Sequence, residues 1–217
     1  MTPTAPRRSK RFARPTLLLV ALGCAASLLA AAEVPLRPLL AVPDKVVLKD
    51  DFAQHAPLSK AQWGPRQGTR WAIEDGVLRG RPSSPEFQAK KKDHFGYEPR
   101  ISAPITPPQF MAEFSVRFSG GSETAIVPFI EFGHHVCRVR LSRNGTDMVA
   151  DHESTRVAAA PAFKYEPGRW YHVLAELKGD EIVVQFADGP TLYARHAIFA
   201  QPAPSGSSGL GVAGPKG

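Results

Sequence analysis

The chain has 217 residues, with 27 Lys and Arg against 20 Asp and Glu, a formal charge of +7 and two cysteines. Five of the basic residues and none of the acidic ones fall within the first 32 positions, so the remainder carries 22 basic against 20 acidic residues, a charge of +2. That near-balance excludes the polybasic character of a nucleic-acid binder, and the lone cysteine beyond position 32, Cys137, excludes an intrachain disulfide.

The first 32 residues read as a secretory signal. Residues 7–14 are a basic cluster, residues 16–32 an uninterrupted run of apolar and small residues, and Ala30-Ala31-Ala32 supplies the small-x-small exit that signal peptidase needs. Three variants stand beside this reading: a retained anchor, a twin-arginine signal at Arg7-Arg8, and lipidation at Cys24. With the leader cleaved, no membrane association is expected, and the destination is the exterior, the periplasm or the cell envelope. A linker punctuated by Pro35, Pro38 and Pro43 is expected over residues 33–44, and one domain over residues 45–217.

From there the chain reads as short strands and turns. A first strand is expected over residues 45–52. Residues 70–74 and 77–80 flank Asp75-Gly76, a hairpin pair because both positions tolerate positive φ. Residues 83–99 have no clear period and read as a long loop. Phe110, Ala112, Phe114, Val116 and Phe118 alternate with more polar partners, the period of two expected of a strand with one buried face. Strands follow over residues 125–132, 135–141, 146–153, 169–177, 181–187 and 191–196, with turns at Gly179-Asp180 and Asp188-Gly189. Many short strands at this spacing, with 18 Gly and 21 Pro, predict an all-β, two-sheet antiparallel sandwich rather than βαβ units.

Four blocks carry a family resemblance: Asp50-Asp51-Phe52, Trp71-Ala72-Ile73-Glu74-Asp75-Gly76-Val77-Leu78, Gly168-Arg169-Trp170-Tyr171-His172-Val173 and Gly179-Asp180-Glu181-Ile182. Together they resemble the 3-keto-disaccharide hydrolase domain family, which is similar in fold to concanavalin A-like lectins, laminin G domains and family 16 glucanases. The resemblance runs from about residue 45 to the C-terminus and implies a jelly-roll sandwich, export and a carbohydrate ligand. It transfers no catalytic residue, because the quoted blocks are mainly structural. The Glu-x-Asp-x-x-Glu strand of the glucanases is absent. By the same resemblance Leu210-Gly211-Val212-Ala213 should be the penultimate strand, with a last strand pairing near the first; either the sequence is truncated or the strand at residues 46–52 keeps an unpaired edge.

The stretch from residue 125 to 153 is the most informative. Centring hairpin turns on Gly133-His134 and Asn144-Gly145 pairs Phe129 with Arg138 and Glu131 with Val136, then Arg140 with Val149 and Arg138 with Asp151. The pleat then sends Ile126, Ile130, Phe132, Cys137, Val139 and Leu141 to the core, and Phe129, Glu131, Arg138, Arg140, Asp151 and Glu153 to the opposite face. Glu131, Asp151 and Glu153 are the candidate acids and bases, at separations that suit paired work on glycosides. Phe129 is a candidate apolar platform, and Arg138 and Arg140 candidate ligands for sugar hydroxyls. The competing reading is a solvated face laced with weak cross-strand ion pairs.

No cofactor motif is present and no metal is expected, since adjacent His134 and His135 point to opposite faces of a strand. His152, opposite Cys137, reads as a buried polar group, and Cys137 as an inert core thiol. Trp63, Trp71 and Trp170 read as core residues with sugar stacking as the alternative. Carbohydrate binding, sugar hydrolysis or lysis, and a structural role in the cell envelope remain the open functions.

Overall fold

The computed structural model describes residues 35–53, 57–91, 99–105, 109–120, 127–150, 155–201 and 209–214. Thirteen strands are found among them: β1 (Gly64–Pro65), β2 (Arg70–Glu74), β3 (Val77–Arg81), β4 (Arg100–Ala103), β5 (Gln109–Arg117), β6 (Phe129–Phe132), β7 (Cys137–Ser142), β8 (Gly145–Ala150), β9 (Thr155–Ala160), β10 (Trp170–Lys178), β11 (Glu181–Phe186), β12 (Thr191–Arg195) and β13 (Leu210–Ala213). A larger sheet has the order β1-β4-β13-β6-β7-β8-β9, a smaller one β12-β11-β10-β5, and β2 with β3 forms a separate hairpin. Every pairing is antiparallel. The all-β two-sheet sandwich expected from the sequence is what the chain forms.

The alternation that predicted the strands also builds the core. Phe110 of β5, Tyr171, Val173 and Ala175 of β10, and Ile182, Val184 and Phe186 of β11 face Ile130, Phe132, Cys137, Val139, Leu141 and Met148 of the larger sheet. Phe110 stacks on Phe132 at 6.0 Å across the layers. The Asp75-Gly76 turn forms as read, with φ of 52° and 72°. Gly179, at φ 59°, opens the two-residue loop between Lys178 and Glu181.

Several expectations are corrected. Residues 45–53 form no strand. The Asp50 and Asp51 carboxylates accept from the amides of Phe52 and Ala53 at 2.9 and 3.0 Å, and Phe52 takes φ 55°. Asx turns thus consume the groups a ladder would need. Residues 83–99 were expected as loop, but Pro85–Lys90 is a helix, α1. Ser84 caps it by accepting from Phe87 N at 3.2 Å, with Pro85 at its start. Six residues are too few to display a helical period, so only the cap carries the signal. Strands β1, β4 and β9 had no counterpart in the sequence reading. β13 is an interior strand, bonded to β4 on one side and β6 on the other.

Residues 35–41, expected as linker, are bound to the smaller sheet. Glu176, fully buried on β10, accepts from the amides of Leu39, Leu40 and Ala41 at 2.9, 2.9 and 2.8 Å. Gln185 donates to the carbonyl of Arg37 at 2.7 Å, and Lys178 to that of Leu40 at 3.1 Å. Among the described residues no helix is long and apolar enough to cross a membrane.

Candidate functional site

Both hairpins of the candidate face are displaced from the expected register by two residues. The first closes through a four-residue loop, residues 133–136, with Gly133 and His135 at φ 63° and 65°. Glu131 therefore opposes Arg138, and Phe129 opposes Arg140. The second pairs Ser142 with Gly145, so Arg140 opposes Asp147 and Arg138 opposes Val149. Gly145 is thus the residue after the turn, not its centre. It takes φ 119°, and an added Cβ would lie 2.6 Å from the Cα of Pro161.

A shift of two leaves the pleat unchanged, because faces alternate with a period of two. Ile130, Phe132, Cys137, Val139 and Leu141 are all buried in the core as expected. Phe129, Glu131, Arg138 and Arg140 share the opposite face. Asp151, His152, Glu153 and Ile126 lie outside the described residues.

The structure adds a residue that the sequence reading missed. Arg100 of β4 opposes Ala213 of β13, which in turn opposes Phe129 of β6. Two strand spacings, about 10 Å, separate the Arg100 backbone from β6. Only Gly211 and Ala213 stand between, so the guanidinium crosses β13 unobstructed. Its Nη2 bonds Glu131 Oε2, while Arg138 Nε donates to Glu131 Oε1 at 2.9 Å. His134 completes the cluster, its Nδ1 lying 2.8 Å from Arg100 Nη2 and 3.5 Å from Glu131 Oε1.

The side chains of Arg100 and Glu131 are each 5% exposed, against 12% for Arg138 and 14% for His134. This end of the face is buried, whereas the cross-strand pairs of Asp147 with Arg140 and Arg156 lie where those arginines are 28% and 67% exposed. Burial alone would raise the Glu131 pKa. The His134 contact and the charges of Arg100 and Arg138 outweigh it and bring the carboxyl down to about 2. Glu131 is therefore an anion at neutral pH, with both oxygens engaged and no proton to donate. Arg66, whose amide bonds the carbonyl of Arg100 at 2.9 Å, has its pKa lowered by burial and by the Arg100 charge.

Phe129 is no exposed platform. It is 4% exposed and lies beneath two guanidiniums, 5.4 Å from that of Arg100 and 4.4 Å from that of Arg138. It serves as the apolar floor that holds both cations by their faces. Arg140 is committed to Asp147 by a two-pronged pair at 2.9 and 2.7 Å, which raises its pKa. Arg156 adds a third contact to the same carboxylate at 3.1 Å. Ser142-Arg143-Asn144-Gly145 carried the signal for Asp147. Serine first and glycine fourth fit a turn with ordinary negative φ at its centre, and neither Arg143 nor Asn144 takes positive φ.

The remaining candidates resolve simply. His134 and His135 lie in the loop, not on a strand, with ring centroids 3.7 Å apart. Cys137 pairs with Ala150, and burial followed by the Glu131 charge pushes its thiol pKa up, so it is inert. None of the three tryptophans fills the core: Trp63 and Trp71 are half-buried and Trp170 is 40% exposed. Among the described residues, no group of three or more His, Cys, Asp or Glu is placed to hold a metal ion.

No family model and no curated protein matches the chain in sequence. In fold it is similar to carbohydrate binding module CBM66 from Bacillus subtilis, at 14% identity and TM-score 0.48 over 70% of this chain and 90% of that one. It is also similar to the alginate lyase AlgAT5 of polysaccharide lyase family 7, at 12% identity and TM-score 0.35 over 71% and 91% of the two chains. A third likeness is to domain 4 of AbnA, a GH43 extracellular arabinanase from Geobacillus stearothermophilus solved with arabinotriose, at 12% identity and TM-score 0.33 over 68% and 76%.

Proposed function

We propose that this chain is an exported carbohydrate-binding domain that holds a saccharide at the Arg138 edge of the Glu131 cluster. One observation carries the reading: charged side chains on the non-core face of the larger sheet are buried and locked together. Arg100 and Phe129 fix Glu131 and Arg138, and Arg138 and His134, at 12% and 14% exposure, form the rim. Burying charge costs several kcal/mol per ion and is weak evidence for stability. A rigid, charge-assisted set of donors is instead what orients neighbouring hydroxyls of a sugar. The resemblance of the quoted sequence blocks to a saccharide-acting family points the same way, and the basic-apolar-small order of residues 1–32 supports export.

That resemblance also supports an enzymatic reading, hydrolysis or lysis of 3-keto-disaccharides. Glu131, held as an anion, is unsuited to be its general acid, so Asp151 or Glu153 would carry the proton. A glycan array probed with the full chain, run beside a turnover assay on 3-keto-disaccharides, separates the two. Retention of a glycan class without turnover is the expected result. Turnover lost in Glu153→Gln would establish the enzyme instead, and neither binding nor turnover would leave a structural cell-envelope role.

A further inference from the structure

A second candidate site lies beside β1 and the start of β2, where Thr69 bonds the carbonyl of Arg100. A cleft of about 510 Å³ is lined by Trp63, Trp71, Leu58, Pro65, Gly64 and Lys60. Its volume lies within the range of about 300–1,000 Å³ usual for small-ligand sites. Both indoles are fixed and their polar atoms already spent. Trp63 Nε1 donates to Asp50 Oδ2 at 3.2 Å, and Trp71 Nε1 to Thr69 Oγ1 at 3.0 Å. Thr69 Oγ1 itself donates to the carbonyls of Arg66 and Arg100 at 2.7 and 3.1 Å, so it offers no further proton.

Each ring is also packed against a neighbour. Trp71 lies so close over Gly80 that an added Cβ there would sit 2.5 Å from the ring, and Phe52 meets Trp63 at 5.6 Å between centroids. The cleft is thus offered apolar indole surface held in place, with one amine, Lys60, in its lining. A ligand that fits must bring a flat C–H face to the indoles and keep its polar groups at its edge. A pyranose ring with equatorial hydroxyls has that division, and stacking gains without requiring any indole N–H to change partner.

We propose that this cleft is a second saccharide subsite, in which a pyranose stacks on Trp63 and Trp71 with its hydroxyl edge toward Lys60. The inference rests on the carbohydrate reading and deepens it, because it selects chains of equatorially substituted pyranoses as the ligand class. Cellotetraose, with both ring faces apolar, is the probe. It is titrated into the full chain, Trp63→Ala, Trp63→Phe and Arg138→Ala, with indole fluorescence and calorimetry as readouts. The expected result is a shift of wild-type emission on binding, affinity at least tenfold weaker in Trp63→Ala, and recovery to within about threefold in Trp63→Phe. Trp63→Phe also separates stacking from folding, since it keeps the ring against Phe52. Wild-type affinity in Trp63→Ala, or unchanged wild-type emission, overturns the subsite. If Trp63→Ala binds normally while Arg138→Ala does not, the subsite alone fails; if cellotetraose and every arrayed glycan go unbound, the carbohydrate reading falls with it.

Discussion

Among single residues, Glu131 sets the electrostatics of the charged face. Its folded pKa is depressed, to about 2 from an ordinary 4.5. The ionised form therefore stabilises the fold fully above the unfolded value. That contribution is lost as pH falls from about 4.5 through about 2, and a shift of this size corresponds to roughly 3 kcal/mol. Glu131→Gln leaves Arg100 buried without its counter-charge, so it should lower stability at neutral pH by about 3–5 kcal/mol. It should also flatten the acid limb, and denaturant titrations at pH 7, 5 and 3 measure both effects. An equally steep acid limb in the variant would place the responsible carboxylate elsewhere. Glu131, Phe129, Arg138 and Arg140 were legible in the sequence because alternation fixes a face. Arg100 was not, because its approach depends on Gly211 and Ala213 of a strand more than a hundred residues away. No local pattern encodes that juxtaposition.

At the scale of elements, turn chemistry decided which side chains became partners. The Asp75-Gly76 hairpin formed as its residues dictate. Asn144-Gly145 reads equally well as a turn centre, yet the chain uses Ser142 and Gly145 as the paired ends. Ser142 Oγ donates to the carbonyl of Gly145 at 2.7 Å and accepts from Asn144 N at 3.2 Å, which holds the turn in that setting. The register difference, two residues in each hairpin, spared the face assignment while replacing every cross-strand pair; a one-residue difference would have inverted the site. Strand β4 and helix α1 escaped notice for a related reason, since four and six residues carry too little periodicity to stand out. Gly145 makes the point testable. It combines left-handed φ with contact against Pro161, so Gly145→Ala meets both strain and a backbone clash. A loss of about 2 kcal/mol or more in equilibrium unfolding is expected. Gly76→Ala, whose added Cβ meets nothing within 4 Å, should cost less despite its own positive φ of 72°. Equal losses would mean that the Pro161 contact is immaterial.

At the scale of the whole molecule, the two sheets play different parts. The smaller one uses its outer face on the chain itself, with Glu176 and Gln185 holding residues 37–41. The larger one places on its outer face a charged cluster, Arg100, Glu131, Arg138 and His134, whose members bond one another, with Arg138 and His134 the more exposed pair. The layered all-β architecture was legible because alternation and turn residues report directly on sheets. The use of each outer face was not, because neither the Glu176 clasp nor the Arg100 crossing leaves a mark in local sequence. In the proposed function Arg138 meets a saccharide while Arg100 and Phe129 only hold it in place. The most direct test is calorimetric titration of wild type and Arg138→Ala with the glycan retained best on the array, with thermal unfolding of both proteins alongside. Binding by Arg138→Ala should be at least tenfold weaker, equivalent to about 1.4 kcal/mol or more, with the variant still folded at the assay temperature. Unchanged affinity in a folded Arg138→Ala protein would contradict that role of Arg138.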